Sequence, residues 1–182
     1  MALVLNFVAF QIGWFSAVLS ATWNQPRLGA LVMAVVVLVH LVTVPRAGPE
    51  LALVLLCGVI GGIWDSILVS MGWVAYPSGM VFQGAAPYWI VAMWMLFATT
   101  LNQSLRWLKG RPALAVLFGV AGGPLAYFTG EKLGGIQLVQ MQEALLALAV
   151  GWGAMMPLLL LLATRFDGVT VHDDARQGWV LD

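Results

Sequence analysis

Long apolar runs separated by short polar connections dominate the chain. An α-helix rises about 1.5 Å per residue, so about 20 apolar residues cross a hydrocarbon core of about 30 Å. The runs that approach this length are Leu3–Trp23, Leu28–Val44, Leu51–Gly72, Tyr88–Leu105, Pro112–Thr129 and Glu143–Ala163. We therefore predict an all-α membrane protein: a six-transmembrane-helix bundle over residues 1–163, followed by a short, loosely ordered cytoplasmic tail over residues 164–182.

Basic residues are unequally divided between the two sides that six spans create. The side shared by both termini holds Arg46, Arg106, Lys109, Arg111, Arg165 and Arg176, and the other side holds only Arg27 and Lys132. Lys and Arg close to helix ends are enriched on the cytoplasmic side of membranes. This imbalance predicts that the N-terminus and the C-terminus are both cytoplasmic.

Composition agrees with a membrane protein and excludes several classes of function. Hydrophobic residues make up 62% of the chain and charged residues 9%, whereas a soluble domain carries about 25% charged residues. The net charge of zero offers nucleic acid no basic surface. With one cysteine, two distant histidines and no lysine inside a span, we predict no metal site and no cofactor. Membrane lipid is the expected partner, and a protein partner remains open.

One acidic residue lies well inside a predicted span. A charged group at the bilayer centre costs about 2.5–3.5 kcal/mol on insertion scales, so Asp65 requires an explanation. A stripe of small residues that includes Gly58 and Gly62 turns Asp65 towards the bundle interior. Asp65 is either a functional carboxylate or a structural one, bonded to Ser66, Gln11 or a tryptophan indole. The sequence leaves both interpretations open.

Two further polar groups complete the candidate site. One helical face of the fourth span carries Thr99, Asn102 and Arg106. A similar depth in the membrane is reached by Gln103, Asn6 and His40. Together these side chains predict a polar pocket near the cytoplasm. Alternatively, Arg106 extends to lipid headgroups and the amides bond across helices.

Towards the outer surface Tyr127 and Glu131 are spaced i, i+4. They follow Pro124, and a proline in the middle of a helix predicts a kink. With Asp65 and Glu143 they form a candidate outer polar group. The charge-free connection Trp73–Pro87 either lies in the outer interface or dips back towards the bundle.

Four blocks of sequence resemble a bacterial inner-membrane family. They are Asn6-x-x-x-Phe10-Gln11-x-Gly13-Trp14-Phe15, Trp64-Asp65-Ser66, the run from Phe97 to Leu108 and Gly123-Pro124-Leu125-Ala126-Tyr127-x-x-Gly130-x-x-Leu133-Gly134. The family is catalogued only as a domain of unknown function (number twenty-eight seventy-eight). The resemblance implies a small multi-pass protein of the bacterial inner membrane, encoded near lipid-modifying enzymes, and it supplies no catalytic residues. Gln103 stands where histidine is common in the family, so the resemblance implies no histidine-dependent mechanism at this position.

Three hypotheses for the function follow. The first is a protein that binds or moves a lipid or small amphiphile at an intramembrane polar cavity lined by Asp65, Asn102 and Arg106. The second is an intramembrane enzyme that acts on lipid, with Asp65 and Glu131 as acid and base. The third is a non-catalytic subunit of a membrane assembly. We rank them in this order and assign no catalytic group. The candidates for substrate binding are Asp65, Asn6, Gln11, His40, Asn102, Gln103, Arg106, Tyr127 and Glu131.

Overall fold

The computed structural model of the protein describes residues 2–170 and has six α-helices in that range. They are α1 (Ala2–Thr22), α2 (Pro26–Thr43), α3 (Ala47–Ser70), α4 (Tyr88–Leu101), α5 (Pro112–Lys132) and α6 (Met141–Arg165). A 3₁₀ turn follows α4 at Arg106–Leu108. Two short strands, β1 (Val74–Ala75) and β2 (Gln137–Leu138), pair antiparallel. The predicted all-α class is confirmed.

Five of the six helices are long and apolar enough to cross a membrane, by length and composition. The exception is α4, which has 14 residues. The five long helices make this a multi-pass membrane protein. Their outer faces carry many exposed large apolar side chains, such as Leu31, Val42, Val150 and Leu161, which suits a surface covered by lipid rather than by water.

The fourth helix ends at Leu101, four residues earlier than predicted. Thr99 and Thr100 turn their hydroxyls back onto the carbonyls of Leu96 and Phe97, and the Leu105 N–H then closes a wide turn on the Thr100 carbonyl at 2.8 Å. Such local side-chain bonds compete with helix continuation. The prediction that Arg106 shares a helical face with Thr99 and Asn102 is therefore wrong.

The helices pack as three close pairs, α1 with α2, α3 with α4, and α5 with α6. Helix α4 also packs against α1 and α2, so it lies at the centre of the bundle. Small residues permit the close approaches: a Cβ on Gly29 would lie 2.5 Å from the Ala17 Cα, and one on Gly119 would lie 2.1 Å from the Trp152 carbonyl oxygen. Small residues allow such close backbone packing between helices in membranes.

Both described chain ends lie at the same end of the bundle. Asn6, near the start of α1, accepts hydrogen bonds from Ser104, while Asn102 donates to the Phe166 carbonyl just after α6. We call this the terminal end, formed by the start of α1, the α2–α3 connection, residues 102–111 and residues 166–170. The opposite end, which carries residues 71–87 and 133–140, is the loop end.

One detail differs from the sequence prediction, and another is not tested. Helix α5 is continuous through Pro124, so the kink predicted there stays a prediction. Helix α6 continues to Arg165, and the following residues bond to α3: Arg46 donates to the carbonyls of Asp167 and Thr170. The first part of the predicted tail is thus ordered. Residues 171–182, including Arg176, lie outside the described part of the chain, so the prediction of a loose tail there stays a prediction.

Candidate functional site

Asp65 is fully buried and accepts hydrogen bonds from three side chains. The hydroxyls of Tyr76 and Tyr127 donate to Oδ1 at 2.6 and 2.5 Å, and the Trp94 indole donates to Oδ2 at 2.7 Å. The donors come from the α3–α4 connection, α5 and α4. A buried carboxylate is tolerated only when its oxygens are hydrogen-bonded. Asp65 therefore joins three segments of the bundle to α3.

Tyr76 reaches Asp65 because the Trp73–Pro87 connection folds back over the loop end. Within it β1 pairs with β2, and Ser78 donates to the Ala21 carbonyl at 3.1 Å. Burial, and then the neighbouring Asp65 carboxylate, raise the pKa of Tyr76 well above its ordinary value. Its hydroxyl therefore keeps its proton and acts as a donor. At Tyr76, which is buried, this connection dips back towards the bundle. At its tip, the side chains of Met80, Val81 and Phe82 are exposed.

The other predicted members of the outer group do not join this cluster. Glu131 accepts a long bond of 3.4 Å from the Leu138 N–H and lies 3.9 Å from the Lys132 ammonium. Glu143 is exposed in the first turn of α6. Ser66 bonds to the Gly62 carbonyl and the Ala86 N–H instead of Asp65. Among the alternatives for Asp65, the tryptophan indole is the one that the structure provides.

A lateral cavity of about 270 Å³ lies beside the Asp65 cluster, between α1 and α5 and over α4 and α6. Its walls are almost entirely apolar, and the larger side chains that form them are Phe7, Phe10, Trp14, Trp94, Phe97, Phe118, Tyr127 and Trp152. Trp94 and Trp152 stack at a centroid distance of 4.5 Å and an angle of 18°. Gln11 contributes the one amide side chain of this wall.

The cavity and the buried carboxylate share two residues. Trp94 and Tyr127 line the cavity and also donate to Asp65. Asp65 itself does not line the cavity, and its two oxygens are already engaged. Asp65 thus fixes the orientation of two aromatic side chains in the wall and does not offer a free acceptor to a ligand.

A second buried polar cluster lies at the terminal end and centres on Glu50, which is fully buried. His40 Nε2 lies 2.8 Å from Glu50 Oε2. The Asn102 amide donates to Oε1 at 2.6 Å and the Gly168 N–H donates to the same oxygen at 2.9 Å. Gln103 Nε2 lies 3.3 Å from His40 Nδ1. The predicted proximity of His40, Asn102 and Gln103 is therefore observed, with Glu50 at their centre.

Asn6 and Arg106 differ in their relation to this cluster. Asn6 donates to the Thr99 carbonyl at 3.1 Å and lines a crevice together with His40 and Gln103. Arg106 is exposed in the 3₁₀ turn, which matches the alternative in which it extends to lipid headgroups. Asp65, Asn102 and Arg106 consequently do not meet in one cavity.

An ion pair fastens residues 166–170 to the terminal end. Lys109 Nζ lies 2.9 Å from Asp167 Oδ2, and the Thr170 N–H donates to Asp167 Oδ1 at 2.9 Å. Burial alone would raise the pKa of Asp167, but the bonds from Lys109 and Thr170 outweigh it and lower that pKa from 3.8 to about 2. The stabilisation is therefore fully present above about pH 4 and is lost as the pH falls towards 2.

Sequence reasoning missed Glu50, Tyr76 and Trp152. A proline followed by an acidic residue, as at Pro49 and Glu50, is typical of a helix start that is exposed to water. However, α3 already begins at Ala47 and includes Glu50 in its first turn. The pairing of an acidic residue with the span histidine His40 was the available signal. Tyr76 and Trp152 had no such signal, because their positions depend on how a loop and a helix pack.

The helices and their buried carboxylate clusters define the protein as an all-α, multi-pass membrane protein. Within residues 2–170, no group of three or more His, Cys, Asp or Glu side chains is arranged to hold a metal ion. Residues 3–158 match the model of a family described as a protein of unknown function, DUF2878, and the chain belongs to that family. No curated protein and no solved structure matches the chain.

Proposed function

We propose that this protein spans the bacterial inner membrane six times, with both termini in the cytoplasm, and binds an apolar chain of a membrane lipid in the lateral cavity between α1 and α5. The observation that carries the proposal is the aromatic cavity of about 270 Å³, whose lining includes the exposed side chains Phe7 of α1 and Phe118 of α5. Its walls offer an apolar chain many contacts and offer a charged headgroup none.

Support for a sixth span comes from the position of α4. Its 14 residues rise about 21 Å, less than the hydrocarbon core of about 30 Å. However, α4 is surrounded by α1, α2, α3 and α6, and Leu101 and Asn102 at its end are buried. Non-helical backbone at membrane depth is tolerated where protein surrounds it. A short central helix followed by a buried turn is therefore compatible with a complete crossing.

Support for cytoplasmic termini comes from the charges at the two ends of the bundle. The terminal end carries Arg46, Arg106, Lys109, Arg111 and Arg165 within the described residues. The loop end carries Arg27 and Lys132. The positive-inside rule then favours the terminal end as the cytoplasmic one.

The lining of the cavity favours an alkyl or isoprenoid chain over a polar ligand. A volume of about 270 Å³ is close to the lower limit of ligand pockets, about 300 Å³. The cavity therefore suits part of one chain, with the remainder continuing into the bilayer. The Gln11 amide, and the buried Trp152 indole N–H, which makes no hydrogen bond within residues 2–170, suit an ester carbonyl near the chain.

Gly122 provides a direct test, because it lines the cavity and a Cβ there would meet nothing closer than 3.9 Å. We expect Gly122→Leu to fill the cavity without displacing the bundle. Native mass spectrometry of protein released from mild detergent should show the retained lipid falling by about tenfold or more, the equivalent of about 1.4 kcal/mol.

Gly48→Leu is the matched control, since Gly48 lies in the first turn of α3 outside the cavity and a Cβ there has no neighbour within 4 Å. It should retain lipid like the wild type. Thermal unfolding of both variants verifies that the fold is intact. Equal lipid retention by a well-folded Gly122→Leu variant would remove the cavity as the binding site.

A further inference from the structure

A second crevice, chemically unlike the aromatic cavity, opens beside His40. It encloses about 460 Å³ between α1, α2 and α4 at the terminal end. Its lining combines apolar side chains, including Ala9, Val35 and Val39, with a set of polar side chains that we call the polar wall: Asn6, His40, Thr43, Thr99 and Gln103. No Lys or Arg lines the crevice, so the polar wall recognises a ligand through hydrogen bonds.

Glu50 determines which nitrogen of His40 is an acceptor. A carboxylate oxygen accepts a hydrogen bond from an N–H, so the contact of 2.8 Å is satisfied when the proton is on His40 Nε2. The Asn102 amide and the Gly168 N–H hold the other oxygen of Glu50. In the neutral imidazole Nδ1 is then an acceptor. Its partner is the half-buried Gln103 amide, at a long distance of 3.3 Å.

The two threonines in the wall are also left as acceptors. Thr43 donates its hydroxyl proton to the carbonyls of Val39 and His40, and Thr99 donates to the Leu96 carbonyl. The oxygen lone pairs of both threonines remain available. Asn6 donates one amide N–H to the Thr99 carbonyl and accepts from Ser104 with its oxygen, which leaves its second N–H as a donor. The wall therefore favours a hydroxyl group, which can donate and accept.

We propose that this crevice is a binding site for the hydroxyl-bearing headgroup of a neutral lipid, such as the glycerol of a monoacylglycerol. The hydroxyl donates to His40 Nδ1 in place of Gln103, and the acyl chain lies along the valines of α2. A phosphate or carboxylate finds no Lys or Arg in this wall. An ammonium group finds no accessible carboxylate, because Glu50 is fully buried behind His40.

This site is separate from the cavity between α1 and α5, which is lined by other faces of α1 and α4. Either site can therefore fail its test without the other. Gly122→Leu, which fills the aromatic cavity, is expected to leave binding at His40 unchanged.

The test uses the full chain in phosphatidylcholine nanodiscs, with 1-monooleoylglycerol as the probe and native mass spectrometry to count bound probe. Methyl oleate has the same chain without a hydroxyl, and oleate has a charged headgroup. We expect monooleoylglycerol to bind at least several-fold more tightly than either. Equal or tighter binding of methyl oleate or oleate would overturn the proposal.

Two variants locate the binding. Ala9→Leu fills the crevice and should abolish binding of the probe, whereas Ala34→Leu, at an exposed position of α2, should not change it. Gln103→Leu removes the amide that competes for His40 Nδ1, so it should tighten binding several-fold. Weaker binding in Gln103→Leu, or unchanged binding in Ala9→Leu, would contradict a hydroxyl site at His40.

Discussion

The two fully buried carboxylates are stabilised in different ways. Asp65 relies on neutral donors, two tyrosine hydroxyls and an indole, whereas Glu50 has the imidazole of His40 beside an amide and a backbone N–H. Removing one partner from such a group leaves a buried polar atom unsatisfied, which costs more than the bond itself contributes. The neighbours of these carboxylates are therefore the residues where small changes should have large effects.

Tyr76→Phe and Tyr127→Phe each delete one donor to Asp65 and leave the ring in place. We expect each to lower the free energy of unfolding by about 1–3 kcal/mol, the range for leaving a buried polar group without one of its hydrogen-bond partners. The measurement is unfolding in detergent, followed by tryptophan fluorescence.

Tyr88→Phe is the control for these variants, since Tyr88 is the remaining tyrosine and is not a donor to Asp65. It should unfold like the wild type. If Tyr76→Phe and Tyr127→Phe also matched the wild type, Asp65 would not depend on its hydroxyl donors.

Part of the site could be predicted from residues alone. An acid within an apolar run had to face protein, and a tryptophan indole was among its expected partners; Trp94 fills that role. Glu50 could not be recognised in the same way, because its burial depends on residues 166–170 folding over the terminal end and donating the Gly168 N–H. That contact joins positions 118 residues apart.

At the scale of the helices, adjacent glycines in α3 have different roles. A Cβ on Gly61 would lie 1.9 Å from the Trp94 ring, whereas one on Gly62 would lie 3.1 Å from a Val91 methyl group. We expect Gly61→Ala to destabilise the protein by about 1–3 kcal/mol, the usual cost of overpacking, because Trp94 is held by Asp65 and cannot easily move.

Gly62→Ala serves as the internal comparison, and its midpoint of thermal unfolding should remain close to that of the wild type. The two variants differ only in which face of the same helix turn receives the methyl group. Equal destabilisation by both would mean that Trp94 does not set the distance between α3 and α4.

The stripe of small residues was visible in the sequence, but its exact face was not. The G-x-x-x-G spacing selected Gly58 and Gly62, and the structure packs Gly58 against Met95 but Gly61 against Trp94. Consecutive helical residues are rotated by about 100°, so the closest approach falls on Gly61 because α3 is rotated to place this glycine against Trp94. Only the partner helix determines that rotation.

At the scale of the whole molecule, the proposed orientation can be measured with single cysteines. The native Cys57 is buried and should react slowly. Val139→Cys, at an exposed position of the loop end, should react with a membrane-impermeant maleimide in cells whose inner membrane is intact. Gly48→Cys, at the terminal end, should react only after that membrane is permeabilised.

The reverse labelling pattern would place the terminal end outside the cytoplasm. Labelling of both positions in intact cells would instead contradict an arrangement in which they lie on opposite sides of the membrane. Labelling of Gly48→Cys in lysed cells verifies that its thiol is accessible.

The sequence by itself determined that the protein lies in a membrane, that it is all-α and where its helices approximately begin and end. These follow from local chemistry, because apolar runs need lipid and backbone groups in lipid must bond within their own helix. Only the tertiary structure decided that Tyr76 returns to Asp65, that Glu50 pairs with His40, and that α1 and α5 leave an aromatic cavity between them. Those features join residues distant in the chain, and their geometry depends on helix rotation and loop folding, which no local pattern encodes.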